Sequence, residues 1–451
     1  SLDPADQTND SLAQMALSLR QIGEIRISQG RFTEGQDAFR RSMELTRSLY
    51  ERDPRLDQRL FDLGQSYFWM GFAAHRDGQF EAAREPFRRY LDVSETLVQR
   101  DSNRLDWMLE LSYAFNNLGT LDQQLGELES ARLRFQRSLE IKRQLVNAEP
   151  QQLLWQNELA DTLAWLADTE AALGELHQAA LHQEQRLMLS SRLASEQPSH
   201  RQLQRSVGYA SLALARLRLS LGQTDGVAEL IERSVLLADQ RRQSDPANLQ
   251  WVEDAARARL DRVRYAVFVD RYAEAFRWLD EAEVLAEQLL AIPEPELDWA
   301  IRLRSRAHYL RLLVKARSQA SSIPSDEIHL LRQRLAQLSD SSPNNRYLDR
   351  LRARVWILEG DLAARSCESR RARTAWRSAL NLVSSRVRQY PDALAIQAVA
   401  QGRLHQTANA SRSIERLADM GYAEPWYAQS IEFDRGLENC PVPSGRERSI
   451  H

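Results

Sequence analysis

The chain has 451 residues, of which 43% are hydrophobic and 27% charged, and its formal net charge is −3. This composition is typical of a globular, mostly helical protein, and it excludes a low-complexity or disulfide-rich chain because there are only 17 glycines and 2 cysteines. No apolar run approaches the length of about 18 residues that a membrane-spanning helix needs, so the sequence predicts no membrane span.

Three kinds of residue recur along the chain with a shared period of 48 residues. A glycine, a proline and a tryptophan each repeat, with Ser102 replacing one proline and Leu203 one tryptophan. The glycines are Gly30, Gly78, Gly126, Gly174 and Gly222; the prolines are Pro54, Pro150, Pro198 and Pro246; the tryptophans are Trp107, Trp155, Trp251 and Trp299. One period in three independent markers indicates a repeat protein.

Residues 103–150 show what one repeat contains. Apolar residues recur at spacings of three and four between Asp106 and Leu125, which predicts a helix. Gly126 stands where a left-handed residue would end that helix, and a second periodic run follows until Pro150 closes it. Each repeat is therefore predicted to be two antiparallel helices of roughly 20 residues, which must stack on neighbouring repeats to bury both faces.

The repeat resembles the tetratricopeptide repeat family. That family has an aromatic residue, Leu-Gly, Ala and Phe at fixed spacings over about 34 residues, and Phe115, Leu118, Gly119, Ala131 and Phe135 match them. The position of Gly119 is held in other repeats by Gly23, Gly71, Ala167 and Ala215. The longer period resembles the long-helix variety found in multidomain bacterial signalling proteins, so we expect the chain to be part of a longer protein of that kind.

We predict an all-α fold, an α-solenoid with a right-handed superhelix, built from about eight antiparallel helix pairs. The regular repeats cover residues 1–294 and end near residues 54, 102, 150, 198, 246 and 293. Two divergent basic repeats (295–391), capping helices (392–438) and a disordered tail (439–451) follow. In the sixth and eighth repeats Asp270 and Cys367 replace the glycine of the turn. A second set of glycines, Gly71, Gly119 and Gly360, lies within the predicted helices, and we predict that they are packing contacts.

The sequence contains no motif typical of catalysis. There is no phosphate-binding glycine loop, no Cys-x-x-Cys and no His-Glu-x-x-His. His177 and His182 are five residues apart, which places them off a common helical face, so no metal site is expected. The presence of only two cysteines, Cys367 and Cys440, favours a reducing compartment. The alternative, a disulfide between them, requires the tail to fold back. We predict a non-enzymatic protein without cofactor or metal, located in the cytoplasm, with the periplasm as the alternative.

The resemblance implies that the first helices of the pairs line a concave face that binds a protein or peptide, or mediates self-association. The family's ligand-facing positions fall here on Arg20, Glu24, Gln65, Phe68, Phe72, His75, Arg76, Tyr113, Asn116, Thr120, Gln123, Gln124, Tyr209 and Arg216. The family's clamp for a terminal carboxylate is not reproduced, because Asn116 is present without a lysine. Buried packing explains Phe68 and Phe72 as well as binding does.

Charge is distributed unevenly along the chain. Residues 301–391 carry a net charge of +12, whereas residues 1–300 carry −13. A basic stripe is predicted where Arg346, Arg350 and Arg354 repeat every four residues on one helical face. It continues after the next turn with Arg365, Arg370, Arg371, Arg373 and Arg377. These arginines can pair with the acidic repeats, bind an acidic partner or phosphate, or form a solvated face.

Two functions fit the sequence. The first is a non-catalytic scaffold or regulatory module that binds a protein or peptide, whose partner can be a domain of the same full-length protein. The second is a sensor that binds a small anionic ligand or nucleic acid through residues 301–391 and controls an attached effector domain, with nucleic acid the less favoured ligand. The two differ in where the ligand lies: on the first helices of repeats one to five, or in the basic repeats.

Overall fold

The computed structural model describes residues 8–291, 298–318, 323–341, 345–384, 390–424 and 427. In these residues the chain forms 18 α-helices and no β-strand. They are α1 (Asn9–Ser28), α2 (Phe32–Arg52), α3 (Asp57–Arg76), α4 (Phe80–Arg100), α5 (Leu105–Leu125), α6 (Leu128–Ala148), α7 (Leu153–Leu173), α8 (Leu176–Glu196), α9 (Arg201–Ser220), α10 (Val227–Ser244), α11 (Leu249–Phe268), α12 (Tyr272–Leu290), α13 (Asp298–Ser318), α14 (Ser325–Ser341), α15 (Arg346–Arg365), α16 (Ser369–Ser384), α17 (Pro391–Arg403) and α18 (Thr407–Asp419). Consecutive helices pack as antiparallel pairs, which confirms the predicted all-α, solenoid-like fold. Among these helices none combines the length and hydropathy that crossing a membrane requires.

The chain divides into two compact units, an N-terminal unit (Ser1–Thr169) and a C-terminal unit (Glu170–His451), with the boundary inside α7. Within the N-terminal unit α1 packs beside α3. Within the C-terminal unit α9, α11, α13, α15 and α17 pack side by side in chain order. The first helices of successive pairs therefore form one continuous face in the C-terminal unit.

Apart from α13, whose end borders residues outside the described part of the chain, the first helix of each pair is followed within two residues by one in the left-handed conformation. Gly126 follows α5 with φ +83°, as predicted. Gly30, Gly78, Gly174 and Gly222 also have positive φ. Asp270 (φ +57°) and Cys367 (φ +60°) adopt the same conformation where they replace the glycine. His405, which follows α17 with φ +58°, is a further case that the sequence did not reveal.

Replacing His405 by glycine should raise the free energy of unfolding by about 1 kcal/mol, because a residue with a Cβ is strained at positive φ and glycine is not. The side chain is exposed, so its removal costs little packing. Chemical unfolding followed by circular dichroism measures the difference. His405→Ala is the matched control, since it removes the ring and keeps the Cβ. Equal stability of the two variants would show that the backbone at this turn is not strained.

Each of three mid-helix glycines lets an aromatic ring from the second helix of its pair approach closely. A Cβ built on Gly119 would lie only 2.7 Å from the ring of Phe135. The rings of Phe87 and Trp376 take the same place against Gly71 and Gly360. These glycines are therefore packing contacts, as predicted, and Gly23 with Phe39 forms a fourth pair of the same kind.

Candidate anion-binding cavity

The last described residues of the chain return to the beginning of the C-terminal unit. The Ala423 amide donates a hydrogen bond to the Ser220 carbonyl at 2.7 Å. Met420 lies against Gly174, where an added Cβ would be 2.7 Å from its sulfur. Leu176 of α8 belongs to the same hydrophobic cluster as α17. The helices α8 to α18 therefore close into a ring, and residues 420–424, here called the C-terminal strap, complete it.

This ring encloses a cavity of about 530 Å³. Its wall is formed by one face each of α9, α11, α13 and α15, together with Asp392 and Glu424. Eight arginines line it: Arg216, Arg257, Arg264, Arg302, Arg306, Arg317, Arg350 and Arg354. The lining carboxylates are Glu253, Asp392 and Glu424, and the lining aromatic residues are Phe268, Trp299, Tyr309 and Tyr347. The cavity is therefore cationic, with aromatic rings among the charges.

Two of the arginines share one buried carboxylate. Asp261 of α11 is 2% exposed and lies between Arg216 of α9 and Arg306 of α13. Arg306 Nη2 is 2.7 Å from Asp261 Oδ1, and Arg216 Nε is 3.1 Å from each carboxylate oxygen. Burial acts to raise the pKa of Asp261, but the two guanidinium groups outweigh it and hold that pKa well below its usual range. This triad joins three neighbouring first helices.

A second buried carboxylate comes from the strap. Glu424 is 3% exposed, and Arg264 Nε donates to its Oε1 at 2.9 Å. Arg354 Nη2 lies 3.5 Å from Glu424 Oε2 and 3.6 Å from Asp392 Oδ2. The Tyr422 hydroxyl also donates to Glu424. Burial acts to lower the pKa of Arg354, but Glu424 and Asp392 raise it above its ordinary value. The charges of Arg264 and Arg354 are therefore neutralised by the carboxylates of Glu424 and Asp392.

Three arginines of the cavity wall have no such partner. Arg302, Arg317 and Arg350 are half-buried and form no ion pair within the described part of the chain, although Arg350 is near enough to Asp392 to help lower the pKa of that carboxyl group. The guanidinium of Arg350 lies 5.8 Å from the ring centroid of Tyr390. A partly desolvated guanidinium without a carboxylate is a strong donor to anions. Arg302 and Arg317 are 15 residues, or about 22 Å, apart along α13, so these side chains can contact separate anionic groups of a ligand in the cavity but cannot share one.

The residues of the predicted basic stripe separate in the structure. Arg350 and Arg354 of α15 line the cavity, whereas Arg371 of α16 lies 3.3 Å from Glu359 and Arg365 donates to the Ala316 carbonyl at 3.1 Å. Four members on α16 are exposed, Arg370, Arg371, Arg373 and Arg377, and Arg371 is the one among them that pairs with Glu359. The Arg346 side chain lies outside the described residues. The charge of the basic repeats is thus partly neutralised inside the chain, by Asp261 of the sixth repeat and by Asp392 and Glu424.

In the N-terminal unit, most predicted ligand-facing residues contact other side chains. The Phe68 ring packs 5.9 Å from Phe72 and 5.7 Å from Tyr90, which favours a packing role for both phenylalanines. Gln65 donates to Glu110 at 2.7 Å. Burial, together with the neighbouring Arg76, lowers the pKa of His75. Arg20 and Glu24 form an ion pair at 3.5 Å, and Gln123 donates to Thr169 at 3.1 Å. Of the remaining predicted residues, Thr120 is half-buried and Gln124 is exposed.

A lysine does lie near Asn116, although the sequence analysis found none. Lys142 of α6 is fully buried, and its Nζ is 2.9 Å from Glu158 and 3.0 Å from Thr162. Asn116 donates to the same Thr162 hydroxyl at 3.3 Å, and the Tyr113 ring centroid is 5.3 Å from Nζ. Burial lowers the pKa of Lys142. The lysine ammonium and the Asn116 amide nitrogen are occupied inside the unit and both residues are buried, so they do not form an open carboxylate clamp.

In the C-terminal unit Tyr209 donates to Asp254 at 2.7 Å, and Arg205 contacts the same tyrosine. His182 lies 2.7 Å from Glu170 rather than beside His177. Nowhere in the described residues are three or more His, Cys, Asp or Glu side chains placed to hold a metal ion. Cys367 carries no free thiol, which departs from the reduced state that the sequence favoured. Cys440 and the predicted tail lie outside the described residues.

No family model and no curated protein matches the chain. Several solved structures resemble it in fold. A Rap protein complexed with Competence and Sporulation Factor aligns with a TM-score of 0.48 and 11% identity over 93% of this chain and 99% of that one. BtubC from P. vanneervenii aligns at 0.46 and 18%, over 59% and 95%. A tetratricopeptide repeat protein from Parabacteroides merdae aligns at 0.38 and 12%, over 76% and 99%. Tetratricopeptide-like repeat proteins are thus among the structural neighbours of this chain.

Proposed function

We propose that the chain is a non-catalytic binding module whose C-terminal unit binds an acidic peptide segment of a protein partner in the arginine-lined cavity. The observation that carries this proposal is the set of Arg302, Arg317 and Arg350, three half-buried guanidinium groups without an ion-pair partner in the described chain. A fold of stacked helix pairs is typical of protein-binding scaffolds.

The aromatic residues of the cavity favour a peptide over a simple ion. Trp299 and Phe268 are half-buried, and Tyr347 is 40% exposed. Arginine, tyrosine and tryptophan are the residue types that dominate binding energy at protein interfaces. A peptide can place carboxylates against the arginines and its remaining atoms against these rings. Because charge–charge attraction contributes, its affinity should fall as salt is raised.

A fluorescein-labelled peptide of alternating Glu and Ala tests the proposal by fluorescence anisotropy. Its Gln-for-Glu counterpart should bind at least about tenfold more weakly, because charge-assisted hydrogen bonds contribute about 1.5–3 kcal/mol each. The variants Arg302→Gln and Arg350→Gln should each weaken binding of the acidic peptide by about tenfold for the same reason. Neither substitution leaves a described carboxylate unpaired, so the fold should be kept.

Arg373→Gln and Arg377→Gln are the matched controls, because they remove the same charge from exposed positions on α16. Their affinity for the acidic peptide should equal that of the wild type. If the α16 variants lost binding and the cavity variants kept it, the ligand site would be the exposed part of the basic stripe. Equal binding of the acidic and neutral peptides would contradict the choice of an anionic ligand.

The size of the cavity favours a second candidate, a small anionic ligand. About 530 Å³ lies within the range of about 300–1,000 Å³ that small-molecule sites occupy. Citrate and ATP are suitable probes in competition with the labelled peptide. A small anion that binds more tightly than the peptide, and that also depends on Arg302 and Arg350, would favour the sensor function over peptide binding.

We further propose that this module belongs to a larger bacterial signalling protein and that the acidic segment lies either in a partner or in another domain of the same protein. The long-helix repeat pattern supports this, with Trp107 and Leu111 opening one first helix and Trp155 and Leu159 the next. A cytoplasmic location and self-association remain predictions from the sequence.

A further inference from the structure

We propose that Glu424 is an internal substitute for the carboxylate of the ligand, and that an acidic ligand displaces the C-terminal strap from the cavity. This inference rests on the proposed function, because it concerns how the same cavity is regulated. It assigns to Arg264 and Arg354 the role of a carboxylate subsite that Glu424 of the strap fills while no ligand is bound.

The contacts of Glu424 are those that an external carboxylate would make. Two arginines from different helices, Arg264 of α11 and Arg354 of α15, reach it. The hydroxyl of Tyr422 adds a contact within the strap itself, which would leave together with Glu424. Glu424 lies 160 residues from Arg264 in sequence, so the contact is made by closing the ring and not by local structure. Its carboxylate is 3% exposed although it belongs to a segment outside any helix.

The strap has few backbone connections to the rest of the unit. Within the described residues, the hydrogen bond from Ala423 to Ser220 is the one backbone hydrogen bond that joins it to another helix pair. The Tyr422 hydroxyl adds a side-chain contact to Asp392 at 3.1 Å. Gly421 precedes these residues with φ +69°, a conformation in which the chain can change direction at low cost. Tyr422 and Met420 pack in the hydrophobic cluster around α17, so displacement of the strap would expose these two side chains, but it would unfold no helix.

Displacement by a ligand exchanges one carboxylate for another. Arg264 and Arg354 keep an anionic partner throughout, so the charges that the ring buries stay compensated. The tethered Glu424 nevertheless competes at a high effective concentration and lowers the apparent affinity of any external carboxylate. An acidic ligand would therefore open the ring, whereas a neutral ligand would not.

The labelled Glu-Ala peptide, tested on the wild-type chain and on Glu424→Gln, measures this competition. Glu424→Gln should bind the peptide about tenfold more tightly, because the competing charge is removed from the subsite. Glu415→Gln is the matched control, since Glu415 is an exposed glutamate of α18 away from the cavity lining, and its affinity should equal that of the wild type. Hydrogen exchange of residues 420–424 should become faster when the acidic peptide is added to the wild-type chain.

Tyr422→Phe provides a second variant that keeps every charge and the ring that packs 5.9 Å from Tyr427. It removes the hydroxyl that donates to Glu424, so it should tighten peptide binding by a smaller factor in the same direction, and it decides the question if Glu424→Gln does not fold. If the wild type binds the peptide but neither variant binds it more tightly, the strap is only structural. If none of these proteins binds the acidic peptide, the proposed function itself is wrong, and with it this inference.

Discussion

Replacing Gly119 by leucine should lower the free energy of unfolding by about 1–3 kcal/mol, because the new side chain cannot fit against the Phe135 ring. A Cβ alone would lie 2.7 Å from that ring, and both residues are fully buried, so α5 and α6 would have to separate. Glycine within a helix costs about 1 kcal/mol relative to alanine, and the close approach of the ring compensates for that cost. Chemical denaturation followed by tryptophan fluorescence measures the change.

Two further variants separate overpacking from helix propensity. Gly402 is also a helical glycine, but a Cβ added there meets nothing within 4 Å, so Gly402→Ala should gain up to about 1 kcal/mol. Combining Gly119→Leu with Phe135→Ala should cost less than the sum of the single changes, since the smaller side chain gives the leucine room. A Gly119→Leu protein that unfolds like the wild type would show that the two helices do not pack through this glycine.

The sequence was sufficient for the local features of the fold. The packing role of Gly119 and the left-handed positions of Gly126, Asp270 and Cys367 depend on local structure within one helix pair, which the periodicity of the sequence indicates, whereas the partner of Gly119, Phe135, came from the structure. The same holds for the helix lengths. Residues whose neighbours lie within the same repeat could therefore be assigned before the structure was known.

Contacts between repeats followed a spacing that the sequence analysis did not use. Several polar partners on neighbouring first helices are 45 residues apart. This spacing is close to the 48-residue period minus the roughly 3.6 residues of one helical turn. Such partners are Gln65 and Glu110, Tyr209 and Asp254, Arg216 and Asp261, and Asp261 and Arg306. A search for complementary residues at this spacing would have found the buried triad around Asp261.

Ring closure in the C-terminal unit could not be predicted in this way. The contact between Arg264 and Glu424 spans 160 residues and depends on small rotations that add up over several helix pairs. No periodic pattern relates the two positions, because the strap does not belong to a repeat. For that reason the sequence indicated that the basic repeats need anionic partners but did not identify the residues. Only the structure shows that part of the basic stripe lines the cavity and part lies on the exposed face of α16.

Changing Asp261 to asparagine should destabilise the C-terminal unit by about 3 kcal/mol, because it leaves Arg216 and Arg306 without their shared carboxylate. This is the lower end of the range for breaking a buried ion pair, since 37% of the Arg216 side chain remains exposed to solvent. Urea denaturation at neutral pH measures the loss. Asp419→Asn, at an exposed position on α18, is the matched control and should stay within about 0.5 kcal/mol of the wild type.

Comparing Asp261→Asn with the wild type also shows how the stability contributed by Asp261 depends on pH. Arg216 and Arg306 hold the pKa of Asp261 in the folded chain well below its usual value, despite the opposing effect of burial. Above pH of about 4 the carboxylate is charged in both the folded and the unfolded chain, and its stabilising contribution is complete. Below that pH the unfolded chain takes up a proton that the folded chain does not, so the wild type loses this contribution as the pH falls, whereas Asp261→Asn has none to lose. The difference in unfolding free energy between the two proteins should therefore narrow below pH of about 4, and a difference that stays constant down to pH of about 2 would show that Asp261 is not the charged partner of the two arginines.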